Sequence, residues 1–140
     1  EAKVTTPITS AIKALKVLDI NKISIFTPYT KTINNSVVNY FKKENIIINS
    51  LTYLDIASDL DIGKVDENYL FEVLSKIDLE DSDALFISCT ALPALSIIDK
   101  LEKKIKKIVL SSNQVLIWDT LKEINYKKKI KGYGRLFMEV

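Results

Sequence analysis

The sequence predicts an α/β fold in which a four-stranded parallel sheet lies between two layers of helices. Short apolar runs alternate along the chain with longer segments whose apolar residues recur every three or four positions, which are the patterns of strands and amphipathic helices. Strands that are separated by helices pair in parallel through right-handed crossovers. We therefore expect a three-layer αβα, flavodoxin-like arrangement with the strand order 2-1-3-4.

The predicted strands are short runs rich in β-branched or aromatic residues, and the predicted helices each carry an apolar stripe. Residues suited to helix capping precede several helices, namely Thr5 or Thr6, Thr30 or Thr32, and Asp66. In chain order, the predicted elements are a helix at 7–18, strand 1 at 23–26, a helix at 33–43, strand 2 at 46–54, a loop or short helix at 55–63, a helix at 67–76, strand 3 at 84–88, a helix at 91–101, strand 4 at 107–110, a helix at 115–124, and an extended segment within 130–140.

The composition is that of one folded domain spanning residues 1–140, because 47% of the residues are hydrophobic and 27% are charged. The absence of histidine excludes a Ser-His-Asp triad and a His-ligated metal site. Only three glycines are present, without a phosphate-binding motif, so no nucleotide cofactor is expected. A single cysteine cannot form an internal disulfide, which favours a cytoplasmic protein.

Neither a membrane nor a nucleic acid is an expected partner. No apolar run approaches the roughly 18 residues that a membrane-spanning helix needs. Lysines concentrate after Lys100, but they lack the interleaved aromatic residues and the recognition motifs of nucleic-acid-binding proteins. This lysine pattern is typical of a solvated surface.

The only cysteine, Cys89, directly follows predicted strand 3. A helix starting at Ala91, with Pro93 in its first turn, would present free N–H groups that favour a thiolate. In the strand order 2-1-3-4 the loops after strands 1 and 3 face each other, which places Tyr29 in the same crevice as Cys89. The alternative is a lone cysteine that is only a small buried apolar residue.

Four segments carry a resemblance to a known family. They are Thr-Pro-Tyr-Thr at 27–30, Asp-Ala-Leu-Phe-Ile-Ser-Cys-Thr at 83–90, Ser-Ser-Asn-Gln at 111–114 and Gly-Tyr-Gly-Arg-Leu-Phe at 132–137. Together they resemble the aspartate/glutamate racemase superfamily, and within it the branch of maleate cis–trans isomerases and arylmalonate decarboxylases. The resemblance covers nearly the whole chain, but it matches only the second of the family's two similar lobes. A first lobe is therefore an expected partner, and so is a second copy in a homo-oligomer.

The resemblance implies an active site in the cleft between two lobes that works without a metal or an organic cofactor. It implies that Cys89 is the catalytic thiol and acts as an acid or base on a small carboxylic acid. Tyr29 matches a tyrosine that hydrogen-bonds a substrate carboxylate, and Thr90 would offer a backbone N–H and a hydroxyl beside the thiol. Thr27 and Asp59 complete the residues that we expect to bind substrate.

Two departures from the family pattern bear on the substrate. Asp59 stands where the isomerases usually place an asparagine, and its carboxylate would repel a dicarboxylate. Ala91 stands where amino-acid racemases often have histidine. Alternatives to an isomerase are a two-thiol racemase, active on amino acids or hydantoins, and a non-catalytic domain that binds small ligands. For single residues, Tyr29 would otherwise pack on the first lobe, and Asp59 would cap a short helix. Asn113 and Gln114 would order a turn or the contact between lobes rather than touch substrate.

Overall fold

Four parallel strands form the sheet at the centre of the computed structural model, which describes residues 3–79 and 81–139. The strands are β1 (Lys22–Thr27), β2 (Ile47–Tyr53), β3 (Ala84–Ile87) and β4 (Ile108–Ser111). Their order in the sheet is β2-β1-β3-β4, and all three pairings are parallel, as predicted. Every strand end lies within one residue of its predicted position.

Helices cover both faces of this sheet. They are α1 (Pro7–Val17), α2 (Lys31–Lys43), α3 (Asp59–Ile62), α4 (Glu67–Leu74), α5 (Ile98–Ile105) and α6 (Ser112–Glu123), with 3-10 turns at Leu95–Ile97 and Arg135–Met138. Side chains of α1, α2 and α6 share one apolar core, and those of α3, α4 and α5 share the other. The predicted three-layer αβα architecture is therefore confirmed.

The two central strands supply both cores because successive side chains of a strand point to opposite faces. In β3, Ala84 and Phe86 pack in the core with α1, whereas Leu85 and Ile87 pack in the core with α4. All four of these side chains are buried. A strand that is covered on both faces explains the continuous apolar run in the sequence.

The helix predicted at 91–101 is wrong at its start. The chain is not helical from Ala91 to Ala94; a 3-10 turn at Leu95–Ile97 follows, and α5 begins only at Ile98. Proline disfavours the helical conformation in the residue before it, so Pro93 keeps Leu92 out of a helix. Leu92 is instead buried in the core, with 1% of its surface exposed.

Two further predictions near the C-terminus are corrected. The helix predicted at 115–124 starts at Ser112, because Ser111 and Gln114 form a reciprocal cap that extends it by one turn. The segment predicted to be extended within 130–140 contains the 3-10 turn Arg135–Met138, and Val140 lies outside the described residues. The backbone N–H of Arg135 donates to the Glu102 carboxylate, which anchors this turn to α5.

A buried carboxylate, Asp119 on α6, binds the start of the chain and α1 to α6. It is 3% exposed, it accepts hydrogen bonds from the hydroxyls of Thr5 and Ser10, and it pairs with the Lys13 ammonium at 2.8 Å. Burial by itself would raise the pKa of Asp119, but the hydrogen bonds from Lys13, Thr5 and Ser10 hold it below its ordinary value. The charged form of Asp119 is thus the one that stabilises the fold.

We expect Asp119→Asn to lower the free energy of unfolding at pH 7 by about 2 kcal/mol. Breaking a fully buried ion pair would cost more, but Lys13 is half exposed and water screens its charge. The pKa of Asp119 is lowered on folding, so its contribution is present above about pH 4 and is lost as the pH falls further. Urea unfolding at pH 7 and in acid, for both proteins, measures this. The control is Asp99→Asn, which removes a surface pair with Lys103 and should change little. Equal stability of wild type and Asp119→Asn at pH 7 would contradict this role.

Among the described residues, no helix combines the length and the apolar character that a membrane span requires.

Candidate active site

The candidate site lies at the edge of the sheet where β1 and β3 end side by side. Phe26 of β1 pairs with Ile87 of β3, and the next residue, Ser88, donates its backbone N–H to Phe26 at 2.9 Å. The loops that leave these two strands therefore start as neighbours. They carry Tyr29 and Cys89, which meet as the strand order predicted.

The Tyr29 phenol is half-buried between the two loops and interacts with the Cys89 thiol. Its pKa is raised well above the ordinary value, first by burial and then by a hydrogen bond and charge interaction with Cys89. The Ser88 hydroxyl opposes this shift, and the Asp59 carboxylate adds to it. Tyr29 consequently keeps its proton throughout the neutral and mildly alkaline range, where it can donate a hydrogen bond.

Two buried polar side chains hold the loop that carries Tyr29. Thr27 accepts a hydrogen bond from the Tyr29 N–H at 3.2 Å, and the Asn34 amide donates to the Tyr29 carbonyl, also at 3.2 Å. Thr27 and Asn34 are fully buried, and the hydroxyl of Thr27 donates to Asn34. This placement favours a positioning role for Thr27 over direct contact with substrate.

Asn34 contacts the candidate site, although its position in the sequence did not indicate this. It lies on α2 among polar neighbours, and the apolar stripe of that helix gave no reason to place it inward. The one sequence signal for Asn34 is that it lies one turn into the helix that follows strand 1. This position becomes informative only when the loop at the end of the strand is known to need hydrogen-bond partners.

The loop after β2 brings Asp59 to the same edge. The backbone N–H groups of Leu54 and Ile56 donate to Thr27 and Pro28 at 3.1 and 2.8 Å, so this loop runs alongside the one with Tyr29. Asp59 is the first residue of α3, its side chain is exposed, and its charge acts on the Tyr29 phenol. Ser58 occupies the N-cap position, so Asp59 is not the cap of this short helix.

Cys89 is a free thiol with 8% of its surface exposed, and its backbone has a φ of 120°. That value lies in the region that strongly favours glycine. The Ser112 hydroxyl at the start of α6 accepts the Cys89 N–H at 3.0 Å. The prediction that the following helix begins beside the thiol is wrong, because α5 starts only at Ile98.

Thr90 follows on the surface, where its side chain is exposed and its carbonyl accepts a hydrogen bond from the Asn113 amide at 2.9 Å. The structure therefore brings a thiol, a protonated phenol and a carboxylate to one strand-end edge, with Thr90 beside them and Thr27 below. Within residues 3–79 and 81–139, no cluster of three or more candidate ligands could hold a metal ion. This arrangement suits proton transfer.

Comparison with known proteins identifies the family of this chain. The profile of the arylmalonate decarboxylase family matches residues 2–137. The chain belongs to this family. A relative within it is the maleate isomerase of Geobacillus stearothermophilus, which is 29% identical over 126 residues, equal to 89% of this chain and 50% of that protein. The resemblance stated from the sequence is confirmed.

Solved structures show the same fold. The maleate isomerase of Pseudomonas putida S16, crystallised with maleate, superposes with a TM-score of 0.90 at 23% identity, and the match covers 96% of this chain and 54% of that one. A Cys-to-Ser mutant of the Nocardia farcinica maleate cis–trans isomerase, which holds a covalently bound succinylcysteine intermediate, has a TM-score of 0.88 at 23% identity, covering 94% of this chain and 54% of that one. The chain spans about half the length of the curated family members that it matches.

Proposed function

We propose that this chain is one lobe of a cofactor-independent enzyme of the maleate isomerase type, in which the Cys89 thiol serves as acid and base on a small carboxylic acid. The observation that carries the proposal is the placement of the Cys89 thiol against the Tyr29 phenol at the strand-end edge. Membership of the arylmalonate decarboxylase family, in which related proteins are maleate isomerases, supports it.

In this proposal, a thiolate of the partner lobe adds to one alkene carbon while the π electrons move to the other carbon. Cys89 delivers its proton to that second carbon, so that a saturated thioether forms. Rotation about the new single bond follows. Cys89 then takes a proton back, the carbon–sulfur bond breaks, and the double bond returns in the other geometry. The succinylcysteine held by the Nocardia farcinica isomerase is an adduct of this kind.

Tyr29 would bind the carboxylate of the substrate, because its raised pKa leaves the phenol protonated and able to donate to an anion. Thr90 would offer its hydroxyl and backbone at the mouth of the site, where it is exposed. Thr27 and Asn34 would keep the Tyr29 backbone in place through the hydrogen bonds described above. The Asp59 carboxylate would determine which chemical group the site prefers at the other end of the substrate, the end that Tyr29 does not bind.

A partner lobe is part of the proposal because the same edge exposes large apolar side chains. Leu60 on α3 is 80% exposed, Tyr53 at the end of β2 is 40% exposed, and Tyr69 on α4 is 51% exposed. Leu54, Ile56 and Val65 line a groove with Tyr69. Exposed apolar side chains of this size are typical of a surface that another protein unit covers. We expect the first lobe to cover it in the complete enzyme.

The proposal is tested by comparing the chain alone with a paired protein. The paired protein is a fusion of this chain to the half of the Geobacillus stearothermophilus maleate isomerase that lies outside the matched region. Proton NMR in deuterated buffer would follow the cis–trans conversion of maleate and of cis-alkene acids that carry an amide or hydroxyl at the other end, and the exchange of α-protons in amino acids. We expect no turnover by the chain alone and cis–trans conversion of at least one alkene acid by the paired protein.

Turnover by the chain alone would contradict the need for a partner lobe. A paired protein that is folded and monodisperse, yet turns over none of these acids and shows no amide shifts at Tyr29 or Cys89 when they are added, would contradict the proposed function. Exchange of an α-proton with deuterium from solvent, without isomerisation, would identify the racemase alternative instead.

A further inference from the structure

The first turn of α6 contacts the Cys89 loop through two hydrogen bonds. The Ser112 hydroxyl, 4% exposed, accepts the N–H of Cys89 at 3.0 Å, and the Asn113 amide donates to the carbonyl of Thr90 at 2.9 Å. The two bonds hold the N–H of one residue and the carbonyl of the next. The backbone on both sides of the Cys89–Thr90 peptide is therefore anchored to a rigid helix.

The loop needs such an anchor because Cys89 has a φ of 120°. A non-glycine residue in this region persists only where its surroundings impose the conformation. Without the anchor, Cys89 would relax to a negative φ. The direction of its Cα–Cβ bond would change, and the thiol would leave the Tyr29 phenol.

The helix itself does not require these two side chains. Ser111 and Gln114 already cap α6: the Ser111 hydroxyl accepts the Gln114 N–H at 3.2 Å, and the Gln114 side chain accepts the Ser111 N–H at 3.3 Å. Ser112 and Asn113 are thus available to bind the neighbouring loop. One pair of residues caps the helix and the other pair holds the loop. A variant of the capping residue Ser111 is therefore a matched control for variants of Ser112 and Asn113.

We propose that Ser112 and Asn113 are positioning residues for the Cys89 thiol, and that they hold it in the conformation that faces Tyr29. The inference rests on the proposed function in taking Cys89 as the reacting group. Neither side chain is expected to touch substrate; each acts through the backbone of the loop.

The rate of Cys89 alkylation by iodoacetamide, measured against pH on the folded chain, tests the proposal. In Ser112→Ala and Asn113→Ala the loop loses an anchor, so we expect alkylation to be faster by about tenfold and its rate at each pH to approach that of the urea-unfolded chain. Ser112→Thr keeps the hydroxyl and should restore the wild-type profile. Ser111→Ala removes the helix cap and leaves the anchors, so its profile should match wild type.

Wild-type rates in both Ser112→Ala and Asn113→Ala would overturn the proposal, and so would an equal change in Ser111→Ala, which would indicate general loosening of α6. If Ser112→Ala does not fold by circular dichroism, Asn113→Ala decides alone. Alkylation needs no turnover, so the test is independent of the proposed function. Altered profiles in a chain whose paired protein turns over no acid would support the anchor and contradict only the enzyme activity.

Discussion

Cys89→Ser is expected to reduce the turnover of the paired protein by roughly 10²- to 10⁴-fold, the usual contribution of a general acid or base. A serine hydroxyl is close in size to a thiol, but it is a far weaker acid and gives up its proton much less readily. The variant should fold normally, because the side chain of Cys89 is small and its conformation is set by the loop around it. NMR assays of turnover and thermal melting of both proteins measure the two effects.

The matched control is Thr120→Ala, which removes a surface hydrogen bond to the Leu116 carbonyl within α6 and should leave turnover unchanged. Turnover of Cys89→Ser within about threefold of wild type would show that the thiol is only a buried apolar residue, the alternative that the sequence left open.

Asp59→Asn is expected to strengthen the binding of maleate-like dianions to the paired protein by roughly tenfold, equivalent to about 1.4 kcal/mol. The Asp59 charge acts on the Tyr29 phenol, so it would also act on a second carboxylate of a substrate that Tyr29 binds. Two like charges about 4 Å apart cost about 1 kcal/mol in water and several times more in a partly dry site. The wild-type site should accordingly prefer an acid whose other end carries an ammonium, amide or hydroxyl group.

Isothermal titration calorimetry with maleate and with a small hydroxy-acid, for wild type and variant, measures this preference. Asp61→Asn is the matched control: it removes a negative charge from the same short helix, but its carboxylate is paired with Lys64 at 2.9 Å. We expect the hydroxy-acid to bind Asp59→Asn no more tightly than wild type. Equal affinity of both proteins for maleate would mean that Asp59 does not face the bound substrate.

The sequence by itself determined the sheet and the edge at which the site lies. Strands are short and their side chains alternate or are buried throughout, so local pattern was enough to place β1 to β4. The rule that neighbouring loops meet where the strand order reverses then brought Tyr29 and Cys89 together. Asp59 was assigned from the family resemblance, and the structure places its charge near the phenol.

Only the tertiary structure decided how the thiol is held. The sequence predicted a helix start directly after Cys89, whereas the hydrogen bond to the Cys89 N–H comes from Ser112, 23 positions further on. The buried Asn34 below Tyr29 was likewise invisible in the polar pattern of α2. Periodicity reports which face of an element is buried, because burial repeats with the geometry of the backbone. A hydrogen bond between two loops has no period, so it becomes visible only when the fold brings its donor and acceptor together.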